Sequence, residues 1–476
     1  MNVFGGTTLR THGYGTDHRH QLKAMATLHK KVKPKTSPAT KRTGAVDNKV
    51  ASSLKVPKLP TQVAQAPSVD DNGTTIISER GDLILHFEHE QGGDVHRARF
   101  QVDSITTRQA SPYFGVLLDP SRFEEGRRVA TTLATLRIQE SAPNDSPPGG
   151  KINEEHAPQD LPEVVIEDIG RISPVKSIAL LLTDFLRLLH SQPLVISHPP
   201  PLANLANLVA VFDRFSALPI LESYGHTHHI FALLDAKSKP RGLPEDRLRQ
   251  RAFVAYHLNH NPWLIQSTQR LIQTTAFQAS SPADPAWADL GSLEDELHAR
   301  RIALLDTIQS IQSFFLAQYS SRMRQCRLGY DSSAACDSYQ LGEAVKFFSR
   351  SGTFSLSGSL LPDDDATPWE GDLLEILEKW KMCPEYQIDS NHHHCGIRTR
   401  LLPILERMER AIEDVGVCGD CWRDHRDEYA WGRAKGPLIW RRDEPARGTG
   451  LGLDRRCLNR HLALRDMCLA KDRVWY

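Results

Sequence analysis

Six of the eight cysteines in this 476-residue chain fall between residues 326 and 421, and several stand near other metal-ligating side chains. The most regular pieces are Cys418 with Cys421, separated by two residues, and His392 with Cys395, which has the same spacing. A Cys-x2-Cys turn supplies two thiolates from one tight loop, and the His-x2-Cys pair would complete a tetrahedral zinc site. Four protein ligands leave no position open for water, so we expect a structural zinc ion.

Two alternatives to this ligand set remain open. Cys383 is a substitute ligand if the histidines face solvent, and Cys326 and Cys336 lie in the same stretch. The competing interpretation is that all of them are free cysteines buried in a helical core, which is common for intracellular thiols. A redox role for Cys418 and Cys421 is disfavoured, because thioredoxin-like pairs follow a strand and the flanking sequence here has a helical pattern.

The elements that carry these cysteines are predicted to be helices. Residues 240–432 have apolar residues at helical spacing and indicate an all-α C-terminal region. Its longest periodic segment is residues 292–323, which opens on Ser292 and acidic residues, as is typical of a helix start. Shorter helices are predicted at residues 340–350, 369–381 and 396–415.

The N-terminal half has a different pattern. Residues 82–87 are predicted to form a strand, residues 92–94 a turn, and residues 97–102 a half-buried strand with alternating apolar and polar side chains. A helix should follow and restart at Ser111-Pro112, because proline suits a first helical turn. Residues 129–138 are predicted to form a further strand, so the N-terminal half is expected to mix strands and helices.

Three motifs in this order carry a family resemblance: Phe100-Gln101-Val102, Ser111-Pro112-Tyr113-Phe114, and residues 120–126 with the sequence PSRFEEG. They resemble the N-terminal half of the BTB/POZ fold, closest to the fungal BTB-domain proteins of uncharacterised role. Residues 205–215, which end in Asp213-Arg214-Phe215, resemble its C-terminal half. The resemblance implies an α+β BTB/POZ-like domain over residues 76–225. It also implies a protein-protein interaction module that forms homodimers and often serves as a substrate adaptor for cullin-RING ubiquitin ligases.

One departure from the family bears on the interaction residues. In many animal members, a histidine or lysine after the F-x-V strand and an aspartate in the first strand line a charged pocket. This chain keeps the aspartate as Asp82, but it has Asp103-Ser104 at the position of that histidine or lysine. Two acids would then face one another, so we do not expect an animal-style groove. Asp82 and Asp103 are the candidate interaction residues.

The charge is unevenly distributed although the net charge is zero. Residues 1–69 contain twelve Lys or Arg against two Asp and few large apolar side chains, so residues 1–75 are predicted to be a disordered basic tail. Residues 433–476 are assigned to a basic C-terminal tail whose apolar residues allow a final amphipathic helix, either packed on the rest of the chain or bound to an acidic partner. The Pro- and Gly-rich stretch near residues 140–160 is assigned to a disordered insertion. The basic run at residues 29–35 favours an alternative function, a nuclear transcription- or chromatin-associated factor that contacts nucleic acid through its tails.

Composition and the absence of certain motifs limit the classes of protein to which this chain could belong. No apolar run approaches the roughly 18 residues of a membrane span, and the first residues lack the apolar core of a secretory signal. We therefore expect a nuclear or cytoplasmic protein with protein partners and no membrane contact. The nucleotide-binding, hydrolase and metalloprotease motifs are missing, so we do not expect an enzyme.

Overall fold

A computed structural model describes the chain over residues 68–91, 93–141, 161–195, 198–237, 242–274, 291–329, 333–353, 369, 371–442 and 456–476. The predicted disordered tail lies outside the described residues up to residue 67. The predicted insertion lies outside them from residue 142 to residue 160. The described part is a mixed α/β structure that consists mostly of helices with a small sheet.

The main sheet has four strands in the order β1-β3-β2-β4. Strands β2 and β3 form the antiparallel hairpin expected from the sequence, while β1 pairs with β3 and β4 pairs with β2 in parallel. Gly93 in the hairpin turn has a φ of 93°, a conformation that glycine adopts without steric cost. The strands are β1 (Thr74–Ile76), β2 (Leu83–Gln91), β3 (Asp94–Val102) and β4 (Glu163–Ile166).

Seven helices follow or flank this sheet. Helix α2 begins where the sequence predicts, because the Ser111 side chain accepts a hydrogen bond from the Phe114 backbone N–H and Pro112 occupies the first turn. The helices are α1 (Ser104–Ala110), α2 (Pro112–Leu117), α3 (Glu124–Ser141), α4 (Ile178–Leu189), α5 (Leu202–Arg214), α6 (Leu218–Thr227) and α7 (Ile230–Lys237).

The strand predicted at residues 129–138 is wrong, since these residues belong to helix α3. Glu124 and Glu125 lie in its first turn, where negative charge interacts favourably with the helix dipole. Alanine, leucine and arginine within the segment are also strong helix formers. These local preferences outweigh the β-branched residues from which the strand was predicted.

In the described part of the chain after α7 there are nine further helices, and the segments predicted as helical at residues 292–323, 340–350, 369–381 and 396–415 correspond to α10, α11, α12 and α13. Their bounds are α8 (Glu245–His257), α9 (Asn261–Thr274), α10 (Gly291–Ser320), α11 (Ser333–Arg350), α12 (Leu373–Lys381), α13 (Arg398–Asp414), α14 (Gly419–Asp424), α15 (Arg426–Tyr429) and α16 (Arg456–Leu469). Two short strands, β5 (Ile439–Arg441) and β6 (Asp472–Val474), pair in parallel.

The segment assigned to a basic C-terminal tail is folded over its described residues. Helix α16 packs on α10, where the Thr307 hydroxyl lies 3.3 Å from the Cys468 carbonyl oxygen and donates a hydrogen bond to it. Met467 and Trp475 are buried. Apolar side chains lie among the basic ones in this segment, so it can form a packed amphipathic helix.

Buried apolar side chains form one continuous core from the sheet to helix α16. Asp235 on α7 accepts hydrogen bonds from Arg251 on α8 and from the Trp263 indole on α9, at 2.7 and 3.0 Å. These contacts hold α7, α8 and α9 together. The Asn259 side chain donates a hydrogen bond to Glu222 on α6 at 3.2 Å, which joins the region predicted as BTB/POZ-like to the helices that follow it. Among the described residues, none of the helices combines the length and the apolar character that a membrane crossing requires.

Candidate metal centres

Four potential metal ligands meet between helices α14 and α16. The ligand atoms of Cys418, Cys421, Cys457 and His461 all lie within 4.8 Å of one another. Cys418 is the residue before α14 and Cys421 lies in its first turns, so the Cys-x2-Cys turn points both thiols to one side. Cys457 and His461 are four residues apart on α16, a spacing that places both side chains on the same helix face.

The separations in this cluster match a tetrahedral site. The Sγ atom of Cys457 lies 3.9 Å from that of Cys418 and 3.8 Å from that of Cys421, and 3.4 Å from Nε2 of His461. A tetrahedron with zinc-sulfur bonds of about 2.3 Å has sulfur-sulfur edges of roughly 3.8 Å and sulfur-nitrogen edges of roughly 3.5 Å. Sulfur atoms joined in a disulfide would be about 2.05 Å apart. These four residues can therefore hold one tetrahedral metal ion, and we call them the α14–α16 centre.

Hydrogen bonds fix the Cys-x2-Cys turn in place. Asn261 on α9 donates to Cys418 Sγ at 3.5 Å and accepts from the Gly419 N–H at 2.8 Å, while the Cys418 N–H donates to the Tyr429 hydroxyl at 2.7 Å. Burial acts to raise the pKa of Cys418, but hydrogen bonds from His461, from the Cys421 backbone and from Asn261 outweigh it and lower the pKa to about 6. The thiolate form, which binds metals, is thereby favoured.

A buried ion pair supports the same turn from α10. Glu296 and Arg300 pair at 2.8 Å, with side chains only 3% and 1% exposed. The Arg300 guanidinium also donates to the carbonyls of Val415 and Gly416, just before the metal-binding turn. Glu296 accepts hydrogen bonds from the Trp431 N–H at 2.9 and 3.0 Å. Through these contacts, α10 holds the segments of chain that precede and follow α14.

A second cluster contains the buried thiols of Cys326, Cys336 and Cys395, whose sulfur atoms also lie within 4.8 Å of one another. The Sγ atoms of Cys326 and Cys395 are 3.8 Å apart. Burial acts to raise the pKa of Cys326, but hydrogen bonds from Ser333 and from backbone groups outweigh it and lower the pKa to about 7. Burial and the neighbouring sulfurs raise the pKa of Cys336. We call these three residues the α10–α11 cluster, because Cys326 follows α10 and Cys336 lies in α11.

The structure divides the ligand set expected from the sequence. Cys418 and Cys421 belong to the α14–α16 centre, whereas Cys395 belongs to the α10–α11 cluster and His392 interacts with Cys326 of that cluster. The predicted single site of four residues is therefore not formed. Irregular spacing explains the error, since it gives no sign of which ligands meet after folding.

Cys383, the substitute ligand, lies in neither cluster. It is fully buried in the main apolar core, and its Sγ atom is 3.6 Å from the Pro384 carbonyl oxygen. Burial raises the pKa of its thiol to about 12. Cys383 is therefore a packing residue, because it belongs to neither group of potential ligands among the described residues.

The sequence does not predict Cys457 and His461 as ligands and leaves Cys326 and Cys336 unassigned. The signal for the first pair was present, since cysteine and histidine four residues apart share one face of a helix. The second pair has nine intervening residues and gives no comparable signal.

The candidate interaction residues Asp82 and Asp103 both have partners within the fold. Asp82 accepts from the Ser104 N–H and hydroxyl at 2.7 and 2.9 Å. Asp103 caps helix α1, where its carboxylate accepts from the Thr106 N–H at 2.6 Å, and its own N–H donates to His190 Nε2 at 3.3 Å. Asp103 therefore has a local structural role as the cap of helix α1.

A cleft between α13, β5 and α16 has a basic lining. Its cavity measures about 280 Å³, and its lining includes Arg407, Arg410, Arg442 and Arg460. The Arg407 guanidinium lies 5.5 Å from the centre of the Trp440 ring, within cation-π range. We call this feature the arginine cleft.

Comparison of the chain with protein-family models, with curated proteins and with solved structures found no match in any of the three.

Proposed function

We propose that this protein is a protein-protein interaction module whose C-terminal region is held together by structural zinc. The α14–α16 centre carries this proposal, because three thiols and one imidazole at tetrahedral separations form the ligand set that zinc prefers. Four protein ligands close the coordination sphere. A metal ion with no open position stabilises a fold and does not activate water or substrate.

The N-terminal region would supply the interaction surface. A hairpin followed by two short helices supports the BTB/POZ-like interpretation of residues 76–225, which is our proposal for this region. Large apolar side chains remain exposed here: Ile105 on α1, Val116 on α2 and Phe123 before α3 are 56%, 39% and 44% exposed. We propose that this region forms a homodimer and recruits a cullin scaffold, so that the protein acts as a substrate adaptor of a ubiquitin ligase.

The test uses the full chain and one triple variant, Ile105→Asp, Val116→Asp and Phe123→Asp. Light scattering measures self-association, and affinity capture with mass spectrometry measures cullin recovery. We expect the wild-type protein to dimerise and to capture a cullin, and the variant to lose one or both. The control carries Met382→Asp and Leu438→Asp in the helical region, where the side chains are 77% and 71% exposed. A monomeric wild-type protein that captures no cullin would overturn the adaptor proposal.

The arginine cleft favours a second candidate function, a nuclear transcription- or chromatin-associated factor. Guanidinium groups bind phosphate oxygens well, and four of them line this cleft. Two carboxylates line it as well, and one of them, Asp414, pairs with Arg460 at 3.1 Å. Retention on DNA should then fall strongly between about 50 and 200 mM salt, because phosphate contacts release counterions. The double variant Arg410→Glu and Arg442→Glu should bind less DNA and show a smaller salt dependence. Equal retention of both proteins would contradict this candidate.

A further inference from the structure

We propose that Cys326, Cys336, His392 and Cys395 form a second, complete zinc centre, in which Asp389 positions His392. This centre would be distinct from the α14–α16 centre, with which it shares no residue. The proposal stands on four observations: an unsatisfied buried imidazole, a carboxylate placed behind it, the sulfur separation, and the fold of the turn that brings these groups together.

The imidazole of His392 points into the protein and lacks a partner at one nitrogen. The residue is 2% exposed, and its Nε2 atom is buried with no hydrogen-bond partner among the described residues. Of the three thiols, Cys326 is the one with which the His392 ring interacts. The three sulfurs lie within 4.8 Å of one another as a group that does not include His392, so the ring would move closer to them when the metal binds. A buried polar atom without a partner costs free energy, and native proteins seldom leave one in that state. A metal ion bound by the three thiolates would accept the free lone pair of His392 Nε2 as its fourth ligand.

The other nitrogen of the same ring is already held. Asp389 Oδ1 lies 2.8 Å from Nδ1 of His392. The Asn391 N–H fixes that carboxylate oxygen with a second hydrogen bond of 2.8 Å. A proton on Nδ1, donated to Asp389, leaves Nε2 as the acceptor. A carboxylate behind a histidine is the usual outer partner of a metal-binding imidazole, because it fixes the tautomer and the ring orientation.

A tight turn brings the last cysteine to the same place. Residues Ser390–His392 form one 3-10 turn, and the Cys395 N–H donates to the His392 carbonyl at 3.1 Å. The Tyr319 hydroxyl at the end of α10 donates to the Cys395 carbonyl at 2.9 Å. The distance of 3.8 Å between the Cys326 and Cys395 sulfurs equals the expected sulfur-sulfur edge of roughly 3.8 Å around zinc.

Charge and protons balance in a simple way. Binding of one Zn²⁺ by three thiols and one neutral imidazole releases three protons and leaves a centre with one net negative charge. No oxidant or reductant takes part. The bound ion would connect the segment after α10, helix α11 and the turn before α13, which are far apart in the sequence.

Metal analysis of the full-length protein, purified without chelators, tests this centre. We expect two zinc ions per chain in the wild-type protein, one in His392→Ala, and one in Cys457→Ser, which removes a ligand of the α14–α16 centre. The double variant should contain none. The neighbouring His393→Ala is the matched control and should keep two, because His393 is exposed and belongs to neither centre.

Two further variants separate metal binding from a general loss of folding. His392→Cys should keep the second zinc ion, since a fourth thiolate also completes a tetrahedral site. Asp389→Asn should keep the ion but release it to a competing chelator about 10- to 100-fold more readily, as expected for a residue that positions a ligand.

Several outcomes would overturn the second centre. One is that His392→Ala contains as much zinc as the wild-type protein. Another is that the wild-type protein contains one zinc ion per chain and Cys457→Ser contains none. A disulfide between Cys326 and Cys395, seen as a loss of two hydrogen masses, would overturn it as well. A Cys457→Ser variant that retains every zinc ion of the wild-type protein would instead contradict zinc binding at the α14–α16 centre.

Discussion

The Sγ atoms of Cys421 and Cys457 lie 3.8 Å apart although the two residues are 36 positions apart in the sequence. One belongs to the turn at the start of α14 and the other to the last helix of the chain. A metal ion between them would fasten α16 to the rest of the helical region.

Substitution of Cys457 should release the zinc ion of the α14–α16 centre. Cys457→Ser leaves only three ligands, so we expect about one zinc equivalent fewer per chain and a lower thermal midpoint of unfolding. The control is Cys383→Ala, which removes a buried thiol that contacts no candidate ligand and should leave the zinc content unchanged. Equal zinc loss in both variants would show that Cys383 is a ligand after all.

Acidification should remove zinc, because protons compete with the metal for thiolate and imidazole ligands. Zinc retention should therefore be complete near neutral pH and be lost progressively in acid, as protons displace the metal from its ligands. A zinc-sensitive dye in solution measures the released ion as a function of pH. Release that increases with rising pH would contradict metal binding by thiolates.

Loss of the buried carboxylate of Glu296 should destabilise the protein strongly. Glu296→Ala leaves the Arg300 guanidinium buried without its counter-ion, which typically costs about 3–5 kcal/mol in free energy of unfolding. Chemical denaturation measures the change. Glu294→Ala is the control, since Glu294 pairs with Arg249 at a partly exposed site and should cost at most about 1 kcal/mol. Similar losses in the two variants would contradict this role of Glu296.

Asp103 should stabilise helix α1 in a pH-dependent way. Burial acts to raise the pKa of Asp103, but hydrogen bonds from Thr106 outweigh it and lower the pKa below its ordinary value. The stabilisation is therefore present above the ordinary carboxyl pKa of about 3.9 and is lost as the pH falls through the lowered value. Asp103→Ala should cost about 1 kcal/mol at neutral pH.

Hydrogen exchange of the α1 amides measures this effect. Wild-type protein and Asp103→Ala, compared at each pH, should differ at pH 7 and converge in acid as the wild-type carboxylate gains its proton. Equal protection of the two proteins at pH 7 would contradict the capping role.

Gly416 lies too close to a neighbouring backbone to accept a side chain. A Cβ atom at this position would stand 2.3 Å from the Ile265 carbonyl oxygen. Gly416→Ala should displace the chain before Cys418 and lower the free energy of unfolding by about 1–3 kcal/mol. Gly342→Ala in α11, which meets no atom within 4 Å, should instead raise it by roughly 0.5–1 kcal/mol. An unchanged free energy of unfolding in Gly416→Ala would contradict the close approach of Gly416 to the Ile265 backbone.

The local elements of this protein follow well from its sequence, whereas its ligand partners do not. The hairpin around Gly93 and the start of α2 at Ser111 depend on neighbouring residues, so turn chemistry and capping predict them. The pairing of Cys421 with Cys457 depends on where α16 docks, which no local pattern reveals. Cys383 shows the converse, because a cysteine near other ligands in the sequence can point into the apolar core.

The most direct test of the account is X-ray absorption spectroscopy at the zinc edge on the purified full-length protein. Both proposed centres contain three sulfur ligands and one nitrogen ligand. The spectrum should therefore fit about three sulfur atoms near 2.3 Å and one nitrogen atom near 2.0–2.1 Å per zinc ion. A first shell made mainly of oxygen, or a protein without zinc, would contradict the account.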